Sequence, residues 1–233
     1  MNFRLFFGFL LVLLNSLSAE EISYSMSDSQ GQKFDEKLLQ LMNYENGFFI
    51  EVGANNGIKQ SNTKRFEEFH GWTGLLFEPS PLIFDELVLN RPNSKCFPFA
   101  LGSFEDDNTY VTGDFEDGDL MSSIEGNRLN RPAEITVLMR SLQSVLNEEN
   151  IDHVNFFSLD VEGFELNVLR GIDFNKVTFD YLLIEVNSHH DDINELLFAN
   201  GYEMIENFSN YNPIDNIGWD GTHNDFLYKR TSL

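Results

Sequence analysis

The chain has 233 residues, 42% of them hydrophobic and 14% aromatic with 23 Phe, which supports one packed globular domain and excludes a disordered chain. Lys and Arg total 15 against 38 Asp and Glu, a formal charge of -23; a surface that works by neutralising phosphates is excluded, so nucleic acid is not an expected partner. Cys96 is the single cysteine, which rules out an internal disulfide, and with Phe97 and Phe99 nearby it reads as a buried, inert thiol.

In chain order, residues 1–19 carry one positive charge at Arg4, an apolar run from Leu5 to Leu14 and a small-residue exit ending at Ala19. A membrane span needs roughly 18 to 20 apolar residues, so this run predicts a secretory signal peptide. The domain would then cover 20–233. An uncleaved signal anchor is the alternative, because Leu17 fits poorly three residues before a cut after Ala19, and only then would a membrane be a partner. Either form places the protein in the secretory pathway, in the ER or Golgi lumen or outside the cell, and the sequon Asn207-Phe208-Ser209 fits that compartment.

Beyond the leader, short apolar runs alternate with helical patterns, as in βα units. Strands are predicted at Phe48 to Val52, Leu75 to Phe77, Lys95 to Phe99, Phe156 to Leu159 and Tyr181 to Val186, all apolar enough to be buried on both faces of a parallel sheet. A further strand, Asp225 to Lys229, has one polar side and suits an edge. Helices are predicted at Asp35 to Met42, Asn62 to His70, Leu82 to Leu89, Ser141 to Glu149, Glu165 to Leu169 and Ile193 to Asn200, with Gly71 and Gly201 as stops. Residues Ser103 to Asn130 interrupt the rhythm with Glu105-Asp106-Asp107 and Asp114 to Asp119, an acidic insertion whose spacing lacks the ordered ligand pattern of a calcium loop.

Chemistry concentrates where the predicted strands end. The first runs into Glu51-Val52-Gly53-Ala54-Asn55-Asn56-Gly57, where glycines permit a sharp turn and close approach of backbone to a ligand; a purely steric role for the glycines is the bland alternative. The second ends at Glu78, roughly 25 residues beyond the turn, where nucleotide-binding folds present an acid to ribose hydroxyls. The buried strand before Asp160-Val161-Glu162 closes on two acids, and Ile184-Glu185-Val186-Asn187-Ser188-His189 follows another. In an open α/β sheet, ligands bind at the carboxyl ends of strands, so these four segments are expected to share one crevice. Glu165 is read as a helix cap, Glu185 or His189 as a general base, and Glu162 as a loop-orienting acid or a metal ligand. Adjacent His189 and His190 diverge too strongly to hold one metal readily.

These blocks carry a resemblance. Gly47 to Gly57, Ser61-Asn62-Thr63, Gly71 to Pro81 and Ser158 to Asp173 resemble, in that order, the FkbM-like class I methyltransferases, over about Ser23 to Tyr228. The resemblance implies a Rossmann-like, mostly parallel seven-stranded doubly wound sheet, S-adenosylmethionine as cofactor, and an oxygen on a glycan or other small molecule as acceptor. It also implies that Glu51, Gly53, Ala54, Asn55, Gly57 and Asn62 meet the donor, the loop from Glu51 to Gly57 at its methionine part, with Glu78 at the ribose and Asp160 facing the reaction centre. Two departures stand out: Ser29 to Phe34 lacks the Gln-Asp pair common in relatives, and Asn56 stands where many carry an acid.

Methyl transfer to a hydroxyl requires an aligned nucleophile and removal of its proton, for which Asp160 or His189 is placed. A nicotinamide oxidoreductase is disfavoured because Gly53 and Gly57 do not satisfy G-x-G-x-x-G. The other rivals are a secretory-pathway binding or trafficking protein that has lost catalysis, and a calcium-dependent glycan-binding module.

Overall fold

The computed structural model describes residues 22–115, 120–126, 128–217, 219 and 221–231. The predicted leader, residues 1–19, lies outside them, as does the acidic run 116–119. Among the described residues no helix is long and apolar enough to cross a membrane.

Among the described residues six α-helices and ten strands follow one another as α1 (Phe34–Leu41), β1 (Phe48–Val52), α2 (Lys64–His70), β2 (Thr73–Phe77), α3 (Pro81–Asn90), β3 (Lys95–Phe97), β4 (Ala100–Gly102), β5 (Thr109–Gly113), β6 (Ile135–Ser141), α4 (Leu142–Glu149), β7 (His153–Leu159), α5 (Glu165–Leu169), β8 (Thr178–Val186), α6 (His190–Ala199), β9 (Tyr202–Asn207) and β10 (Asn224–Arg230). A seven-stranded sheet runs β3-β2-β1-β7-β8-β10-β9, and a small sheet runs β4-β6-β5. In the large sheet the strands from β3 to β8 are parallel, while β10 is antiparallel to both its neighbours.

The central strands are apolar on both faces because helices cover both. Alternation along β1 sends Ile50 and Val52 to one face and Phe49 to the other. The first face packs against α4, α5 and α6 through Val145, Leu146, Leu169, Ile193 and Leu197. The second packs against α1, α2 and α3 through Phe34, Leu38, Phe66 and Leu87, with Trp72 fully buried among them. This is a doubly wound α/β fold.

Three expectations need correction. Asp225 to Lys229 is not an edge: β10 sits between β8 and β9, and the true edge, β9, escapes the apolar pattern because only Tyr202 of its first five residues is buried. Ser103 to Asn130 is not wholly a loop, since β5 pairs with β6 from Thr109↔Met139 to Gly113↔Ile135 and closes its own cluster of Ala100, Phe115, Val137 and Met139. Its acids partly serve as caps: Asp106 Oδ2 accepts from the Ser103 N–H and hydroxyl, and Asp107 Oδ1 accepts from the Ser141 N–H. The predicted strand Lys95 to Phe99 stops at Phe97, and Ala100–Gly102 turns away into the small sheet.

Candidate functional site

At the carboxyl edge of β1, β2 and β7 lies a cleft with about 830 Å³ of empty space, open solvent included. Its first wall is the loop after β1. Gly53 has φ +81°, and a Cβ there would stand 1.9 Å from the Asp160 carbonyl oxygen, so only glycine lets the loop lie against the end of β7. The Gly53 and Ala54 N–H groups donate to the Phe77 carbonyl at 3.1 and 3.0 Å, which fastens the loop to β2 as well. Asn55 takes a left-handed φ of 45°, and its N–H donates to Glu78 Oε2 at 2.8 Å.

Glu78 is buried, and its other oxygen accepts from the Ser80 N–H at 2.8 Å. Burial nevertheless pushes its carboxyl up to about 7, against the opposing pull of those two N–H groups. Phe77, Pro79, Phe99, Leu101 and Phe115 supply apolar surface around it. A rigid acid beside an apolar slot and a backbone-lined glycine turn is what a nucleoside requires.

The wall at the end of β7, on the side of β1 away from Glu78, is electrostatically different. Asp160, Glu162 and Glu185 bring carboxylate oxygens within 4.8 Å of one another, and Asp225 is the register partner of Glu185 across β8 and β10. Burial first, then mutual repulsion, raises Asp160 and Glu185 well above the usual carboxylate range, while burial pushes Asp225 up to about 6. Asp160 Oδ1 is enclosed without a hydrogen-bond partner. A trio at this spacing has the donor set for a hard divalent cation, and equally the donor set for a carboxyl pair sharing one proton.

Local backbone keeps these acids in place. Glu162 has a left-handed φ of 56°, and Glu165 Oε1 accepts from the Val161 and Gly163 N–H groups at 3.1 and 2.9 Å. Glu165 therefore locks the turn before α5 rather than capping the helix, and burial pushes its carboxyl up to about 7. Across the cleft mouth, Arg128 Nε donates to Glu162 Oε2 at 2.8 Å. Ser122, Ser123 and Ile124 complete that side.

Of the residues singled out in the sequence, Glu51, Gly53, Ala54, Asn55, Glu78, Asp160 and Glu162 line the cleft. Gly57 does not; it stands behind the loop, where a Cβ would meet Arg91 and Leu87. Asn62 braces the wall from behind, its amide donating to Ser158 Oγ at 3.0 Å. Glu185 sits behind Asp160, held by the Asn187 amide at 2.8 Å. His189 does not line the cleft: its ring is exposed at the N-cap of α6, beside Asp192 at 3.1 Å. The histidine near the acids is His223, with Nε2 4.0 Å from Glu185 Oε1. It went unnoticed because only the antiparallel placement of β10 beside β8 brings it there. Arg91 was also missed, since an arginine ahead of Pro92 at a helix end reads as an ordinary C-terminal cation.

A mostly parallel, seven-stranded doubly wound sheet with this glycine turn and strand-end acid defines a Rossmann-like methyltransferase fold. The chain belongs to the FkbM methyltransferase family: the model of the methyltransferase FkbM domain matches residues 51–204. No curated protein matches it. Among solved structures, methyltransferase FkbM from Methylobacillus flagellatus KT is similar at 16% identity and a TM-score of 0.49, covering 79% of this chain and 43% of that one. Precorrin-6y C5,15-methyltransferase from Geobacter metallireducens GS-15 is similar at 7% identity and 0.47, covering 91% and 96%. Fibrillarin from Aeropyrum pernix, solved with natively bound S-adenosyl-L-methionine, is similar at 12% identity and 0.44, covering 80% and 67%.

Proposed function

We propose that the protein is an S-adenosylmethionine-dependent O-methyltransferase acting on a hydroxyl of a glycan or comparable small molecule in the secretory pathway. The observation that carries the reading is that Gly53, Glu78 and Asp160 line one cleft. The residues fit the donor on three counts: a backbone turn that only glycine allows, a preorganised acid for ribose hydroxyls, and a carboxylate-rich far wall suited to a cation. The glycan acceptor is what the family resemblance implies, the compartment is supported by the apolar segment Leu5 to Leu14 and the sequon at Asn207, and the charge of -23 argues against nucleic acid as acceptor.

When bound, the donor supplies an electrophilic methyl group on a sulfonium. The protein's own part is binding, orientation and removal of one proton. Glu78 accepts hydrogen bonds from the ribose, while Phe77, Phe99 and Leu101 exclude water from the nucleoside. Asp160, at the far end, takes the proton from the acceptor hydroxyl, and its raised affinity for protons keeps it from being so weak a base as an exposed aspartate. Glu185 behind it shares the negative charge and holds Asp160 in that state.

Calorimetric titration with S-adenosylmethionine tests the first half: saturable binding is expected, and its absence in folded protein sinks the reading in favour of a protein without catalysis. Incubation with labelled donor and a panel of glycans tests the second, label transfer to a glycan being the expected result.

A further inference from the structure

Arg91 stands at the C-cap of α3 with its side chain wholly buried, a depth at which a charge persists only with a full set of partners. Its Nε donates to Glu67 Oε2 at 2.6 Å. Nη1 reaches Glu51 Oε2, the Gly57 carbonyl and Ser61 Oγ at 3.2, 3.3 and 3.2 Å, and Nη2 reaches Thr63 Oγ1 at 2.8 Å. Glu51 repeats the pattern, accepting from Ser61 Oγ, Thr63 Oγ1 and the Asn62 N–H at 2.9, 2.6 and 2.8 Å. Glu67 on α2 is the anchor outside the loop, held in turn by Ser94 Oγ at 2.8 Å.

The loop after β1 is thus fastened at two places, with one bond between them from the Gly57 N–H to the Ala54 carbonyl at 2.9 Å. Gly53 to Asn55 hang on the Phe77 carbonyl and Glu78. Gly57 to Thr63 hang on Arg91 and Glu51. The second half contributes Lys59, Gln60 and Ser61 to the cleft, and among the described lining residues, which include Glu51, Glu78, Asp160 and Glu162, Lys59 is the one cation. A donor with a nucleoside at one end and an α-carboxylate at the other needs one positive charge in so acidic a cleft.

We propose that Arg91 is a positioning residue that holds the rear half of the loop so that Lys59 meets the donor's carboxylate, giving the site its grip on the amino-acid end of the donor. This rests on the reading of the cleft as a donor site. An ion cluster that served the fold alone would weaken every ligand of the cleft together. The arrangement described here separates the two ends of the donor, because the contacts of Glu78 with Asn55 and Ser80 do not involve Arg91.

The test is calorimetric titration of the full chain with S-adenosylmethionine and with 5′-methylthioadenosine, which has the nucleoside and lacks the amino-acid end. Lys59→Met and Arg91→Lys are expected to weaken S-adenosylmethionine about tenfold each while methylthioadenosine stays within about twofold. Glu67→Gln, which loosens Arg91 without touching the loop, should shift the same ratio in the same direction by less. If Arg91→Lys does not fold, Glu67→Gln and Lys59→Met decide. Equal losses for both ligands, or no loss for S-adenosylmethionine, overturn the proposal. Failure of the unaltered protein to bind either ligand overturns the donor reading itself, and this proposal with it.

Discussion

The two walls of the cleft are built on opposite principles. On the donor wall each oxygen of Glu78 accepts a backbone N–H, and the loop beside it is tied to β2 and to Arg91. On the far wall Asp160, Glu162, Glu185 and Asp225 crowd together, and one oxygen of Asp160 is buried without a partner. Satisfied polar groups stabilise a binding surface, whereas unsatisfied ones are tolerated where chemistry needs them. The contrast separates holding the donor from handling the acceptor's proton, and it can be broken from either side.

The largest effect is expected on the far wall. Asp160→Ala should reduce turnover on the glycan acceptor by about 10²- to 10⁴-fold, the usual worth of a general base. Donor affinity, which Glu162 and Glu185 still support, should fall far less than turnover, and labelled-methyl transfer beside calorimetry measures both. Loss of donor binding without a specific loss of turnover would erase the distinction between the walls.

Next comes the contact between them. Gly53→Ala forces a Cβ to within 1.9 Å of the Asp160 carbonyl from a left-handed backbone. Chemical denaturation should show a loss of about 1–3 kcal/mol or more, accompanied by weaker donor binding. An unchanged midpoint would mean that the two strand ends are free to separate.

A smaller effect sharpens the donor wall. Glu78, lifted to about 7, accepts ribose hydroxyls best when ionised, so donor affinity should rise as pH increases through 7. Glu78→Gln should weaken the donor roughly tenfold, the cost of a hydrogen bond to a charged group, and flatten that pH dependence. A profile that keeps its slope in the variant would assign the titration to another group.

The last effect concerns the whole molecule. Glu78, Glu165 and Asp225 have folded-state values raised to about 7, 7 and 6. A carboxyl that holds its proton more tightly folded than unfolded stabilises the fold below its unfolded value and loses that contribution as pH rises through the folded one. Melting temperature should therefore fall between pH 5 and pH 8, helped by the growing repulsion of a chain with formal charge -23. A melting temperature that rises over this range would contradict the burial-driven shifts.

Much of this site was legible in the chain because strands and the turns at their ends are local events. Phe48–Val52 and Glu165–Leu169 fall where the apolar pattern and helix signals put them, and both glycine turn and strand-end acids follow from neighbours in sequence. His223, Arg91 and the small sheet around β5 were not legible, since each depends on a partner far along the chain: Glu185, Glu67 and β6. The same holds for His189, whose position after a core strand promised a place at the crevice but whose ring faces solvent beside Asp192.

By itself the sequence determined the α/β rhythm, the glycine turn and the identity of the acids that close the core strands, because side-chain periodicity and backbone freedom are properties of adjacent residues. Only the tertiary structure decided which acids crowd one another, which cation holds the loop and which strand forms the edge. Those outcomes depend on register, burial and charge acting between segments that meet through space, and a linear pattern carries no record of distance.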